Sequence, residues 1–200
     1  MTPRNPALQR FLNSIERAYL ARPRPDLHET AVRIVFNCLK SPAPQSNQTP
    51  GRLPVCTHLA PLAEPQRFDD PSLRQVMTDF MALEPRLEWR RRVGSRTGAS
   101  DSFEDGHANV LLVGPGGLED RTDVWLGASL LAPHVQYPDH RHTPEETYLV
   151  MSKGGFRQGH NAWVDVEAGD TFYNVYNIIH SMRSCDEPLF AFWALREKPI

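Results

Sequence analysis

The first forty residues alternate apolar and polar positions with a helical period. Leu8, Phe11, Leu12, Ile15 and Tyr19 recur at steps of three and four, which makes one apolar face on a helix from Ala7 to Ala21. Leu27, Ala31, Ile34, Val35 and Cys38 do the same from Asp26 to Lys40, and Arg22-Pro23-Arg24-Pro25 breaks the chain between the two helices. The proline- and serine-rich stretch from Ser41 to Gly51 predicts a loop. A third helix is expected to start near Asp70-Pro71, with Leu73, Val76, Met77, Phe80 and Met81 on one side. Arg90-Arg91-Arg92 is expected to be a solvated helix end. Beyond Gly98 the period shortens. Val110–Val113, Val124–Leu131, Thr147–Met151, Ala162–Val166, Thr171–Tyr173 and Leu189–Trp193 are short β-type runs separated by Gly, Pro and Asp turns. Such spacing predicts an antiparallel sandwich or barrel and not βαβ units. The expected organisation is a helical cap, residues 1–100, packed on a small β-barrel, residues 101–200. The cap is expected to cover the barrel, and to gate a pocket or mediate a homodimer.

Composition narrows the function classes. Two hundred residues with 40% apolar and 23% charged side chains can bury a substantial core. A formal charge of −2 argues against a nucleic-acid partner held by bulk charge. No run of eighteen apolar residues is present, so no helical membrane span is expected. The start, Met1-Thr2-Pro3-Arg4-Asn5, does not resemble a signal peptide. Cys38, Cys56 and Cys185 are scattered and odd in number, which fits a reducing, cytoplasmic setting.

Histidine placement points to chemistry. Five of the eight histidines (His134, His140, His142, His160 and His180) fall in the β half. On an extended chain alternate residues share a face, so His140 and His142 should point the same way. Pro144 then turns the chain, and Glu146 and Tyr148 share a face on the following strand. Two imidazoles and a carboxylate converging on one side of a hairpin can ligate a divalent transition metal: Zn, Fe, Mn, Co or Ni. Glu145 is the competing carboxylate, but it belongs to the face opposite Tyr148. Further along, the Gly169-Asp170 turn leads through a β-type run that ends at His180. His134 and His160 have no partner in either motif and are expected at turns or on the surface.

The HxHx₃E string, the Gly-Asp turn and the later histidine resemble the two motifs of the cupin barrels over roughly residues 125–196. His134 stands where the first cupin motif usually has glycine, and Glu167 where the second usually has proline. Tyr137-Pro138-Asp139-His140-Arg141-His142 with Glu145-Glu146-Thr147-Tyr148 further resembles the short bacterial cupin lyases of the DddQ type, which cleave dimethylsulfoniopropionate (DMSP). That resemblance implies a fold of mostly antiparallel β structure, a double-stranded β-helix or jelly roll capped by N-terminal helices. It implies metal ligation by His142, Glu146 and His180, with Tyr148 at or near the metal and His140 in the same pocket. Tyr148 and Tyr137 become the candidates for a catalytic base in β-elimination, Tyr148 being favoured. The implied partner is a small zwitterionic sulfonium compound. Its cation favours aromatic faces, for which Trp125, Trp163, Trp193, Phe172 and Tyr173 are available and Trp193 is preferred. The rival expectations are an Fe(II)-dependent cupin dioxygenase and a small-molecule-binding cupin without catalysis.

Overall fold

The computed structural model describes residues 3–46 and 48–196. Met1, Thr2 and Asn47 of the expected loop lie outside the described residues. The elements run α1 (Pro6–Leu20), α2 (Asp26–Leu39), α3 (Leu59–Leu62), α4 (Pro71–Leu83), β1 (Trp89–Arg90), α5 (Phe103–Gly106) and β2 (His107–Val113). They continue with β3 (Val124–Leu131), β4 (Glu145–Val150), β5 (Gly154–Gln158), β6 (Val164–Val166), β7 (Thr171–Asn174), β8 (His180–Arg183) and β9 (Leu189–Arg196). Local chemistry sets the helix starts. The Asn5 side chain accepts from the N–H groups of Ala7 and Leu8, and Asp70 accepts from Ser72, each with proline in the first turn.

The strands form two antiparallel sheets. The larger has the order β1-β2-β3-β9-β4-β7 and the smaller β6-β5-β8. The segment before β4 runs beside β8, through bridges Gln136↔Arg183 and His140↔His180, and so extends the smaller sheet. This is the cupin barrel with helices on the outer face of its large sheet. Residues of α1, α2 and α4 share one apolar cluster with β2, β3 and β9, while the barrel interior forms a second cluster around Tyr148, Phe156 and Met182. Phe80 of α4 ties the first together. Its ring lies 6.0 Å from Phe11, 5.4 Å from Phe190 and 5.1 Å from Phe192.

Strand β4 is buried on both faces. Its outward residue Thr147 receives the helices: Tyr19 Oη donates to the Thr147 carbonyl (3.1 Å), and His28 Nε2 meets Thr147 Oγ1 at 2.5 Å. Tyr173 stacks on the His28 ring at 5.2 Å. Burial pushes the His28 pKa down to about 4, with Arg24 acting in the same direction.

Several expectations need correction. Arg90 lies in a strand, not at a helix end, and Arg92 follows it into the barrel mouth. Strands β5 and β8 were not expected. Gly154-Gly155 hides β5 because two glycines carry no β signal, yet a Cβ at Gly154 would stand 2.8 Å from the Arg183 carbonyl. His180 begins a strand instead of ending one. The HxH segment and β4 are not a hairpin pair, since β4 pairs with β7 and β9.

Two outcomes are expected. Phe80→Ala should lower unfolding free energy by about 3–5 kcal/mol, measured by denaturant titration, with barrel and helix signals still lost together. The second concerns pH. His28 titrates at about 4 when folded against an ordinary 6.5, so the unfolded chain binds more protons between those values. The stability tied to neutral His28 is therefore complete above about pH 6.5 and is lost as pH falls towards 4. His28→Gln should flatten that part of the curve of melting temperature against pH; an unchanged slope would remove His28 as its source.

Candidate metal centre and cavity

The two sheets face each other across a cavity of about 390 Å³, and each contributes a different chemistry. The smaller sheet and its extension carry His140, His142 and His180. The larger sheet carries Glu146 and Tyr148 at alternate positions of β4. The ring centroids of His140 and His180 are 4.1 Å apart and those of His142 and His180 5.0 Å. One ring nitrogen from each of the three histidines lies within 4.8 Å of the others, and the trio could hold a metal ion.

Backbone carbonyls fix the imidazole tautomers. Nδ1 of His140 faces the Pro138 carbonyl at 2.9 Å, Nδ1 of His142 faces Pro144 at 2.8 Å, and Nδ1 of His180 faces Ile178 at 3.0 Å. A carbonyl can only accept, so each Nδ1 carries a proton, and in the neutral ring Nε2 keeps its lone pair. Among the described residues, Nε2 of His142 and of His180 are buried without a hydrogen-bond partner. They lie 3.3 and 3.1 Å from Glu146 Oε2, close but not aligned for a hydrogen bond. Donor atoms about 2.0–2.2 Å from a tetrahedral divalent ion are themselves roughly 3.3 Å apart, so these separations suit a shared cation.

Electrostatics agree. Burial opposes a charge on Glu146, yet His142 and His180 overcome it and hold the carboxyl well below the usual carboxylate range. Burial also opposes a charge on His142, and Glu146 carries its pKa upward. Burial pushes His140 down to about 3, assisted by His180, which keeps it neutral and able to act as a ligand. Asn174 Nδ2 donates to Glu146 Oε2 at 3.2 Å and steadies the carboxylate.

Both tyrosines line the cavity. Burial raises the Tyr148 pKa and the Glu146 carboxylate raises it further. Burial also raises Tyr137, but Arg92 and Asn109 pull the other way. The Asn109 contact is directional. Trp193 Nε1, which can only donate, bonds Ser129 Oγ (3.0 Å); Ser129 donates to Asn109 Oδ1 (2.6 Å); and Asn109 Nδ2 donates to Tyr137 Oη (2.8 Å). Gly127 makes room for this arrangement, because a Cβ there would stand 2.3 Å from the Trp193 ring.

The remaining sequence candidates separate cleanly. Glu145 points to the other face, where its carboxylate binds Arg196 and accepts from Tyr173 (2.5 Å). Trp125 and Trp193 line the cavity. Trp163 lies between the Arg157 and Arg183 guanidiniums, 4.7 and 4.4 Å from its ring. Phe172 packs on Phe156. His134 adopts φ +59°, the left-handed conformation that glycine favours, at the place where the cupin motif usually has glycine. His160 is exposed in a turn. Arg92, Asn109, Ser129 and Asn174 were missed. Asn109 and Ser129 left a signal, each being polar inside an otherwise apolar strand; Arg92 left none.

The fold and site define a cupin barrel with a histidine-rich centre between its sheets. The chain belongs to the DMSP lyase family, whose profile matches residues 27–191. Its structure is similar to the DMSP lyase DddQ from Ruegeria pomeroyi DSS-3, with TM-score 0.72 and 22% identity over 97% of this chain and 93% of that one. It is also similar to a chain in the crystal structures of the DMSP lyases RdDddP and RnDddQII, with TM-score 0.70 and 21% identity over 95% and 92% of the two chains. At these identities the likeness establishes the fold. No curated protein matches the sequence.

His142→Ala and His180→Ala are each expected to reduce bound divalent metal well below one ion per chain by elemental analysis, whereas Glu145→Gln should leave it unchanged. Full occupancy in both histidine variants would remove them as ligands.

Proposed function

We propose that this cavity cleaves DMSP to dimethyl sulfide and acrylate by β-elimination. The observation that carries the reading is a trio of tautomer-fixed histidines beside Glu146, at a cavity lined by two buried tyrosines, in a chain of the DMSP lyase family. His140, His142, His180 and Glu146 would hold a divalent transition metal, with Tyr148 next to them. Such an ion, when bound, supplies Lewis acidity that stabilises enolate-like charge beside a carboxylate.

The polypeptide supplies the rest. A base removes the proton α to the carboxylate, the electron pair of that C–H bond becomes the C=C bond of acrylate, and the Cβ–S bond breaks to release neutral dimethyl sulfide. The dimethylsulfonium carries its own positive charge, so the leaving group needs no protonation. Aromatic walls, Trp193 among them, suit that cation. The sequence favours Tyr148 as base. The Asn109 donor and the nearby Arg92 guanidinium support Tyr137 instead, because both stabilise a phenolate oxygen, whereas Glu146 opposes one on Tyr148. In this reading Tyr137 takes the α-proton and Tyr148 stays among the groups at the metal side.

Metal-loaded protein incubated with DMSP without oxygen should release dimethyl sulfide into the headspace. Oxygen uptake without dimethyl sulfide would mark a dioxygenase, and binding without turnover a binding module. Tyr137→Phe removes one hydroxyl at constant ring volume, and turnover is expected to fall on the order of 10²-fold or more with metal content intact. A near-normal Tyr137→Phe beside an inactive Tyr148→Phe would move the base to Tyr148.

A further inference from the structure

We propose that a second chamber, separated from the histidine-lined cavity by a wall of two tryptophans, is a binding site for a small neutral dialkyl sulfide. The proposal rests on the DMSP reading above for the identity of that ligand, dimethyl sulfide.

The wall follows from the sheet register. Leu111 of β2, Gly127 of β3 and Trp193 of β9 lie opposite one another on adjacent strands. Gly127 has no side chain, so the Trp193 ring occupies the space where its Cβ would stand. Trp125, two residues before Gly127 on β3, shares that face of the sheet. The two indoles and Asn109 line the histidine-lined cavity and also a neighbouring one of about 210 Å³. Leu111, Pro115, Gly116 and Gln48 bound the second chamber on its far side.

The polar groups around this chamber satisfy one another. Gln48 Nε2 donates to the carbonyls of Leu111 (2.8 Å) and Gly116 (2.9 Å), and its Oε1 accepts from the Glu88 N–H (3.1 Å). The Glu88 carboxylate pairs with Arg90 at 2.5 Å. Asn109 is engaged by Ser129 and Tyr137. An ionic ligand therefore finds no free counter-charge here, and desolvation opposes it. One donor is left over. Trp125 Nε1 is buried without a hydrogen-bond partner among the described residues. A thioether sulfur is a weak acceptor and packs favourably against aromatic rings. The chamber is also smaller than the pockets that take drug-sized ligands. Size, neutrality and aromatic walls together select a small, soft, uncharged molecule.

β-Elimination produces such a molecule. When the Cβ–S bond breaks, the sulfur keeps the bonding pair and the sulfonium becomes a neutral sulfide. Acrylate retains its charge and its attraction to the polar cavity, whereas the sulfide loses both. Trp193 borders the cation on one side of the wall and the sulfide's chamber on the other.

Crystals soaked in dimethyl selenide, whose selenium scatters anomalously, locate the site directly. Saturation-transfer NMR with dimethyl sulfide measures affinity in solution. Anomalous density is expected between Leu111, Pro115 and the two indoles. Leu111→Trp fills the chamber from a position outside the lining of the histidine-lined cavity. It should weaken dimethyl sulfide binding on the order of 10-fold or more while bound metal per chain stays unchanged. Pro115→Phe, on an exposed turn, fills the same space from the rim and is expected to give the same loss; it decides the matter should Leu111→Trp fail to fold. Trimethylsulfonium, the cationic counterpart, should not displace the selenide. Selenium found only beside the histidines, unchanged affinity in a folded variant, or displacement by trimethylsulfonium would each overturn the proposal. Should metal-loaded wild type release no dimethyl sulfide from DMSP, the lyase reading fails by itself, and the selenium position still decides the chamber.

Discussion

The structure depends on strand β4 being covered on both sides. A strand's residues alternate between faces, and β4 spends Thr147 and Leu149 on the helices and Glu146 and Tyr148 on the cavity. Thr147 bonds Tyr19 and His28, so the helices contact the backbone from which the site residues project. A one-residue slip of β4 would exchange the faces. Glu146 and Tyr148 would turn into the helix-packed core and Thr147 into the cavity. The large hydrophobic cluster joining α1, α2 and α4 to the sheet therefore also holds the register on which the site is built.

The second constraint is the division of labour between sheets. The nitrogen donors come from the smaller sheet and its extension, the oxygen donors from the larger. His140 and His180 are joined by paired backbone hydrogen bonds of 3.0 and 2.9 Å, which brings two candidate ligands from distant sequence positions side by side before any ion is considered. Each imidazole is then oriented by a carbonyl two residues away along its own chain. Orientation is thus local and cheap in entropy, while convergence is tertiary.

Much of this was legible in the sequence because it follows short periods. The faces of α1, α2 and α4 repeat at three and four. The alternation of Glu146 with Tyr148, and the exclusion of Glu145, follow from period two, and the structure places Glu145 on Arg196 as that alternation requires. What stayed hidden depends on partners far along the chain. Strand β5 begins with two glycines whose value lies in close approach to Arg183, which no propensity reveals. Arg92 looks like one of three equivalent arginines until the fold shows that, among the described residues, two of them meet acids and the third does not. The relay from Trp193 through Ser129 to Asn109 joins three strands, and only the sheet register (Ser129 opposite Asn109, Gly127 opposite Trp193) makes it a single object.

That relay also bears on how one barrel can serve two tyrosines differently. The two phenols line the same cavity and are nearly equally buried, so burial does not distinguish them. Their neighbours do. Tyr148 stands two residues from Glu146 on one strand, and the pleat obliges it to feel that carboxylate. Tyr137 lies on the opposite wall and meets Asn109 of β2, whose amide is oriented by groups that leave it one way to point. Of the two oxygens, one faces an acceptor and the other a donor. A cation among the histidines would relieve the first by neutralising Glu146 and leave the second as it is. The asymmetry at Tyr137 is therefore a property of the polypeptide, and that at Tyr148 depends on what the histidines hold.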